Sequence, residues 1–329
     1  MGDSVGGAGQ AAKSHLVFVV VVVSSRPNPQ PLVFCAESLN PCSNMRRHLL
    51  LLLVLQTTTA SKAMTPREQW LAATGATKAT IGPSELKYWT RMIRDGWRFD
   101  AKHDFSAELL KRLNYSTPFV FEEELRSLAL AGQQLFRVLD VGSGPISAAG
   151  WTLGGGLQLE VVATDPLGSA YNRLLDEHDG YHPTPSGGRI VGPKVRALTV
   201  EAEALLDVFA RDSFDLVMSK NAIDHAYDPL LSLVQMLSVV KPRRAVMLDL
   251  YEREGEMQKY AGLHQHNFQW RDGRLMYWAR EGPKTDVANE PRLKELLDSV
   301  SCRKGILPGV VSTGSSDYRA MSCRLIRRG

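Results

Sequence analysis

Four short apolar runs between residues 136 and 221 dominate the hydrophobic pattern of the chain. They cover residues 136–141, 159–165, 195–200 and 214–221, and each ends in or is followed by polar or glycine residues. Short apolar runs bounded in this way predict buried strands, and the spacing between them leaves room for helices. The pattern therefore predicts an α/β fold whose strands deliver polar side chains to one edge of a parallel sheet.

Helical periodicity surrounds these strands. Ahead of the first strand it predicts helices over residues 83–97, 104–113 and 121–134, the first of them capped by Ser84. After the second strand it predicts a helix over residues 171–178. The three early helices are expected to form an N-terminal helical cap.

Cap and turn residues locate further elements after the fourth run. Pro229 at a first helical position, with Asp228 before it, predicts a helix over residues 229–240. The Asp-Gly pair at 272–273 predicts a hairpin with aromatic residues on both arms. The segment 251–284 that contains this pair is too long for a simple connection, so we expect it to fold over the sheet edge as a lid or wall.

The turn after the first run is the leading candidate for a ligand contact. Asp140 lies at the carboxyl end of this strand, and Gly142 and Gly144 follow it. Glycine permits positive φ and a close approach of the main chain to a bound molecule, and parallel sheets bind ligands at this edge. On this motif alone, a tight turn that binds nothing remains an alternative.

Acidic and amide residues after the other runs extend the candidate site. Asp165 ends the second run, and its spacing from Asp140 fits one βαβ unit. A carboxylate at this position accepts hydrogen bonds from both hydroxyls of a ribose. Glu201 and Glu203 follow the third run, and Asn221 ends the fourth. The sequence therefore predicts a site for a nucleotide-like cofactor.

Three blocks of the chain resemble the class I S-adenosylmethionine-dependent methyltransferases of the small-molecule type. They are residues 138–145, 214–229 and 254–268, within a resemblance that covers about residues 84–329. It implies a doubly wound, Rossmann-like sheet of seven strands, mostly parallel with an antiparallel last strand, and S-adenosyl-L-methionine as the cofactor. The cofactor-binding residues that it implies are Asp140, Gly142, Gly144, Asp165, Glu201, Glu203 and Asn221.

The family's glycine loop is incomplete in this chain. Ile146 and Ser147 follow Pro145, where a third glycine is expected. A nicotinamide dinucleotide, the main competing cofactor, needs that glycine for close packing around its pyrophosphate. Asp140 would also repel a pyrophosphate, whereas it suits the cationic amino acid end of S-adenosylmethionine. The missing glycine also leaves open a second function, a non-catalytic pseudoenzyme or interaction module that binds the cofactor without turnover.

The resemblance implies transfer of a methyl group to an oxygen or nitrogen of a small-molecule acceptor. This displacement depends mainly on positioning, and a base is needed only where the acceptor carries a proton. His225 is the first candidate for that base and His264 is the second. His264 and His266 alternate, but no third ligand has a recognisable spacing, so the sequence predicts no metal site. The residues expected nearest the substrate are Asp224, Tyr260, His266 and Asn267.

Residues 1–63 differ from the rest of the chain and are predicted to be a targeting leader or a disordered tail. They carry five Lys or Arg and two acids, a net charge of +3, which leaves +1 of the formal +4 for residues 64–329. Residues 64–329 are expected to comprise a cap at 64–134 and a methyltransferase domain at 135–329. Their nearly neutral net charge argues against a nucleic-acid partner. The oligomeric state is not indicated.

The apolar run at 49–55 has the basic start and the small-residue end of a signal peptide. This run and the one at 16–23 are both too short to span a bilayer. Two interpretations are therefore open. The leader directs the protein to the secretory pathway or an organelle, or the protein is cytoplasmic and the gene model extends too far at its start.

Cysteine usage predicts free thiols. Of four cysteines, Cys302 and Cys323 lie in the methyltransferase domain, too few for a disulfide framework. The resembling fold pairs its last two strands, here 300–307 and 318–326, which makes these cysteines cross-strand neighbours within reach of a disulfide. We nevertheless expect thiols, because directly paired strand positions strain the bridge and no other feature requires an oxidising compartment.

Overall fold

The computed structural model describes residues 67–68, 71, 78–95, 106–178, 195–305 and 319–329. The predicted leader at 1–63 lies outside this part of the chain. Among the described residues, no helix is both long and apolar enough to cross a lipid bilayer.

Ten strands form two sheets. The larger sheet has seven strands in the order β3-β2-β1-β4-β5-β10-β9, and the smaller has the order β6-β7-β8. Neighbours in the larger sheet are parallel except at β10, which runs antiparallel to both β5 and β9. The predicted doubly wound sheet with an antiparallel last strand is therefore confirmed. The strands are β1 (Leu135–Val141), β2 (Gln158–Asp165), β3 (Leu198–Thr199), β4 (Phe214–Lys220), β5 (Val240–Tyr251), β6 (His266–Arg271), β7 (Arg274–Ala279), β8 (Thr285–Asp286), β9 (Leu297–Lys304) and β10 (Ala320–Arg327).

Helices precede and connect these strands. They are α1 (Lys78–Arg94), α2 (Ser106–Leu113), α3 (Glu122–Ser127), α4 (Gly168–Glu177), α5 (Pro229–Val239), α6 (Glu254–Met257) and α7 (Pro291–Lys294), with 3-10 helices at Ala202–Asp207, Ile223–His225 and Val287–Asn289. The two largest errors in the predicted helix boundaries lie in α1 and α3. The first helix begins before Ser84, because a cap preference of about 1 kcal/mol does not by itself end a helix. Helix α3 stops well short of residue 134, and the turn after it contains Gly132 at a φ of 78°.

Other local predictions are confirmed by their geometry. The side chain of Asp228 accepts a hydrogen bond from the backbone N–H of Leu231 at 3.0 Å and so caps α5. The β6–β7 hairpin turns at Asp272 and Gly273, whose φ values are 52° and 73°. Positive φ at both positions is what the Asp-Gly pair favours. The third apolar run, by contrast, forms only the two-residue strand β3 at the sheet edge.

The core lies on both faces of the larger sheet. Phe136 and Val138 of β1 pack with Trp151 on one face, whereas Leu139 and Val141 belong to the cluster that includes α5 on the other. Alternate residues of a strand point to opposite faces, so this burial on both sides explains the nearly continuous apolar run.

Strands β9 and β10 place Cys302 directly opposite Cys323, as the predicted register requires. The expectation of free thiols is wrong, because the structure joins the two residues by a disulfide. Their Cα atoms are 4.1 Å apart, which is the close approach of facing residues in an antiparallel ladder. The facing positions therefore bring the sulfurs together without a change in strand register.

Candidate functional site

A cavity of about 260 Å³ opens at the carboxyl edge of β1, β2 and β4. Its wall includes five of the residues predicted from the sequence: Gly142, Asp165, Glu201, Glu203 and His225. It also includes residues for which the sequence made no specific prediction, among them Arg67, Leu71, Glu85, Tyr171 and Leu263. The first three come from the segment ahead of β1, so this segment contributes directly to the wall.

The predicted cofactor residue Asp140 lies beneath the glycine turn and is not part of the cavity wall. Its carboxylate is almost fully buried and accepts a 2.6 Å hydrogen bond from the hydroxyl of Ser147. Burial raises the pKa of Asp140. The same hydroxyl accepts from the backbone N–H of Ala149 at 3.1 Å. Ser147, in place of the third glycine, therefore holds the acid inside the fold.

The two glycines of the turn are required by the packing of the chain itself. Gly142 and Gly144 have φ values of 70° and 64°. A Cβ on Gly142 would lie 2.4 Å from the Cβ of Ala222, and one on Gly144 would lie 3.2 Å from the ring of Trp89. The space freed by these glycines is thus filled by the loop after β4 and by helix α1, while Gly142 still borders the cavity.

Asp165 lies at the cavity wall with its carboxylate fixed from below. The carboxylate accepts hydrogen bonds from the backbone N–H of Gly144 at 3.1 Å and of Leu167 at 2.9 Å. Burial raises the pKa of Asp165 to about 6, and the negative charges of Glu85 and Asp140 add to the rise. A carboxylate has acceptor sites for further bonds, so Asp165 can also receive hydrogen bonds from a ligand.

The two predicted cofactor-binding acids that follow the third apolar run, Glu201 and Glu203, are already engaged within the chain. Oε1 of Glu203 accepts from the backbone N–H of Tyr227 at 2.8 Å and of Asp228 at 3.1 Å, and burial raises the pKa of Glu203 to about 7. Glu201 forms a 2.6 Å ion pair with Arg67. Glu203 therefore anchors the segment between His225 and α5.

His225 and His264 meet in one cluster with Asp224. The 3-10 helix after β4 carries Asp224 and His225, and the segment after α6 brings His264 to them. Nε2 of His225 lies 3.1 Å from Nδ1 of His264, and that Nδ1 lies 3.1 Å from Oδ2 of Asp224. The remaining side of the triangle, between Nε2 of His225 and Oδ2 of Asp224, is 3.5 Å. The structure thus gathers both predicted bases and one predicted substrate residue beside the cavity.

A second acid, Glu254, borders this cluster. Its Oε1 lies 3.5 Å from Nδ1 of His264. Burial raises the pKa of Glu254 to about 9, with the charge of Asp224 as a further cause, and the side chain of Asn221 donates a hydrogen bond to it. Burial also opposes the charge of Asp224, but His225 and His264 outweigh it and hold the pKa of Asp224 below its ordinary value. Asn221 therefore faces Glu254 and is not part of the cavity wall.

The other predicted substrate residues support the smaller sheet. Asn267 is fully buried, its Oδ1 accepts from the backbone N–H of Glu256 at 2.8 Å, and its Nδ2 donates to the hydroxyl of Tyr260 at 3.2 Å. His266 shares a 2.9 Å hydrogen bond with the hydroxyl of Tyr277, and burial lowers the pKa of His266 to about 4. The structure does not bring Tyr260, His266 or Asn267 to the cavity wall.

Charge on the cavity wall is mostly negative. Among its described residues, Glu85, Asp165, Glu201 and Glu203 are acidic, and Arg67 is paired with one of them. Glu85 also accepts a 2.9 Å hydrogen bond from the indole of Trp89. No local signal in the sequence indicates that this helical acid comes near Asp165 at the end of β2, because the two residues are far apart in the chain.

No family model matches this chain, and no curated protein matches it. Solved structures with a similar fold include methyltransferases and a [4+2]-cyclase. The Burkholderia thailandensis 1,6-didemethyltoxoflavin-N1-methyltransferase, solved with S-adenosylhomocysteine, is 11% identical over 77% of this chain and 92% of its own, with a TM-score of 0.37. A phosphoethanolamine N-methyltransferase from Haemonchus contortus, also with S-adenosylhomocysteine, is 14% identical over 81% and 61%, with a TM-score of 0.38.

An Aquifex aeolicus S-adenosylmethionine-dependent methyltransferase is 15% identical over 70% of this chain and 100% of its own, with a TM-score of 0.33. Because all three scores are low, the fold assignment depends on the strand order itself. The seven strands, with β10 antiparallel to both β5 and β9, form the mostly parallel sheet with an antiparallel last strand that the sequence resemblance implies. The described chain has the Rossmann-like fold of the class I S-adenosylmethionine-dependent methyltransferases.

Proposed function

We propose that this protein is an S-adenosylmethionine-dependent methyltransferase that transfers a methyl group to an oxygen or nitrogen of a small-molecule acceptor. The observation that carries the proposal is the cavity at the carboxyl edge of β1, β2 and β4. Asp165 stands on its wall with acceptor sites to spare, and His225 stands on the same wall beside a buried polar cluster.

The residues on the cavity wall fit this cofactor. The excess of acids attracts a ligand with a sulfonium and an ammonium group and repels a pyrophosphate. Asp165 can accept hydrogen bonds from ribose hydroxyls, and Leu167, Tyr171 and Ile223 add apolar surface for a flat base. Glu85, rather than the buried Asp140, is the acid at the wall that can face an ammonium group, because its carboxylate keeps acceptor sites besides the one used by Trp89.

Bound S-adenosylmethionine supplies an electrophilic methyl carbon on a positively charged sulfur. The chain must hold the acceptor's lone pair in line with that carbon and receive the acceptor's proton where there is one. His225 is placed for both tasks because it reaches the cavity wall and contacts His264. An imidazole can accept a proton near neutral pH, and Asp224 orients the pair.

The first experiment is titration calorimetry of the full chain with S-adenosylmethionine and with S-adenosylhomocysteine. We expect saturable binding of one molecule per chain, and a folded protein that binds neither compound would refute the proposal. Methyl transfer is then followed with methyl-labelled S-adenosylmethionine and a deproteinised cell extract as the source of acceptors. Binding without label transfer would favour the alternative, a pseudoenzyme that holds the cofactor without turnover.

A further inference from the structure

Three potential ligand atoms converge beside the cavity at distances that suit a metal ion. Nε2 of His225, Nδ1 of His264 and Oδ2 of Asp224 form a triangle with sides of 3.1, 3.1 and 3.5 Å. Metal–ligand bonds of about 2.1 Å at octahedral to tetrahedral angles separate neighbouring ligand atoms by about 3.0 to 3.4 Å. A point roughly 1 Å from the plane of the triangle lies about 2.1 Å from all three atoms.

A single shared proton does not satisfy this triangle. If Nδ1 of His264 carries the proton, that N–H must serve both Oδ2 of Asp224 and Nε2 of His225. Nε2 of His225 then turns a lone pair toward the same carboxylate, 3.5 Å away. If only His225 carries a proton, the lone pair of His264 faces the carboxylate. If both nitrogens carry one, two N–H groups converge on Oδ2 with the nitrogens 3.1 Å apart. A cation between the three atoms binds all three lone pairs and removes these conflicts.

The buried acidic groups around the triangle also favour a bound cation. Asp224 is 2% exposed, and its Oδ1 has no hydrogen-bond partner outside its own residue in the described chain. Glu254, 4% exposed, places Oε1 at 3.5 Å from Nδ1 of His264. Two buried carboxyl groups beside the same imidazole repel each other when both are ionised, and a bound cation would offset that repulsion.

We propose that Asp224, His225 and His264 bind one divalent first-row transition-metal ion. Two imidazole nitrogens and one carboxylate oxygen form a mixed set without thiolate, which suits ions such as Zn²⁺, Co²⁺, Fe²⁺ or Mn²⁺. The ligands come from two stretches about forty residues apart, one after β4 and one after β5. Their distance in the chain explains why the sequence shows no ligand spacing.

A bound ion would also restrict the acceptor to one chemical class, and this part of the inference rests on the proposed function. Because His225 belongs to both the triangle and the cavity wall, a metal position left open to the cavity can bind an acceptor hydroxyl. The ion lowers the pKa of that hydroxyl, and its proton passes to solvent water. The oxygen lone pair then forms the bond to the methyl carbon, while the carbon–sulfur bond breaks with its electron pair on sulfur. With the ion bound, the two imidazoles act as metal ligands and not as bases, and the acceptor atom is an oxygen.

The test measures metal binding without cofactor or acceptor. The full chain is stripped with EDTA, dialysed, and equilibrated with Zn²⁺ or with Co²⁺, whose visible absorption reports the coordination number. We expect one ion per chain and a Co²⁺ spectrum of low coordination number. Asp224→Asn and His264→Gln should each weaken binding by more than about 100-fold. His178→Gln, at the end of α4, removes a histidine outside the cluster and should bind as the wild type does.

The variants are first compared with the wild type by circular dichroism and thermal melting in EDTA. His264→Gln keeps the test valid if Asp224→Asn does not fold, because the His264 side chain is partly exposed. Substoichiometric binding by the wild type, or unchanged binding by folded variants, overturns the metal site. S-adenosylmethionine titration of the stripped protein separates the two proposals. Cofactor binding without metal binding refutes only the ion, and metal binding without cofactor binding refutes only the methyltransferase.

Discussion

Replacing Asp165 by alanine tests the central contact of the proposed cofactor site. The carboxylate lies on the cavity wall and is expected to accept two hydrogen bonds from ribose hydroxyls. The loss of these charge-assisted bonds should weaken S-adenosylmethionine binding by about 2 to 3 kcal/mol. That corresponds to a Kd that rises roughly 30- to 150-fold.

The fold should survive the Asp165→Ala substitution because two opposing effects nearly cancel. The backbone N–H groups of Gly144 and Leu167 lose their acceptor, at a cost of about 1 to 3 kcal/mol each if they remain dry. The variant also removes a buried carboxylate whose raised pKa of about 6 makes its charge unfavourable by about 3 kcal/mol above that pH. Thermal melting above pH 7 should therefore show only a modest change.

Titration calorimetry measures the effect, with Glu160→Ala as the matched control. Glu160 is an exposed acid on the same strand that pairs with Arg137 at 3.0 Å, away from the cavity. Wild-type affinity should also fall as the pH drops below about 6, because a protonated Asp165 loses acceptor capacity, and Asp165→Ala should lack that dependence. An unchanged Kd in folded Asp165→Ala, or an equal loss in the control, would refute the reasoning.

Three further substitutions address other parts of the molecule. His225→Ala should lower kcat by about 10²- to 10⁴-fold with little change in the Kd of S-adenosylmethionine, and an equal loss of cofactor affinity would reduce His225 to a structural role. Glu203 has a folded-state pKa of about 7, above its unfolded value, so its contribution to stability is full at low pH and is lost as the pH rises through 7. Denaturant unfolding at pH 8 should therefore show Glu203→Gln more stable by up to about 3 kcal/mol, and no gain between pH 5 and 8 would contradict this. Alkylation and non-reducing mass spectrometry should find the bridge between Cys302 and Cys323, and Cys302→Ser should lower the unfolding free energy by about 3 kcal/mol for a separation of 21 residues. Free thiols in the isolated protein would refute the bridge, whereas its detection would favour the targeting interpretation of residues 1–63.

Elements defined by neighbouring residues were predictable from the sequence. The apolar runs that end at Val141 and Asp165 are strands because burial on both faces of a parallel sheet selects continuous apolar residues. Asp228 and Pro229 mark the start of α5 because capping and a fixed φ are local properties. The facing positions of Cys302 and Cys323 follow from the pairing of the last two strands that the family resemblance implies.

Contacts made by the tertiary fold were not predictable in the same way. Asp140 and Asn221 have suitable residue types at suitable strand ends, but Ser147 and Glu254 draw their side chains away from the cavity. Glu85 reaches the wall from a helix that precedes the sheet. The meeting of His264 with the residues after β4 depends on the path of a long connection, which no periodicity encodes.

The smaller sheet lies in a stretch of chain that contributes little to the cavity. It is inserted between β5 and β9 and is joined to the main sheet through Glu252, which accepts from the backbone N–H of Trp270 at 3.1 Å and pairs with Lys304 of β9 at 2.8 Å. Within this insertion, which covers residues 252–296, Leu263 is the residue that lies on the cavity wall.

Under the proposed function, the cofactor contacts therefore lie outside the smaller sheet. Mutations that accumulate in residues 266–286 should leave the affinity for S-adenosylmethionine unchanged, because Asp165 and Glu203 belong to other parts of the chain. A lineage carrying this fold could therefore exchange the smaller sheet as a unit without losing its cofactor. Chimeric proteins that swap residues 266–286 would measure this independence directly.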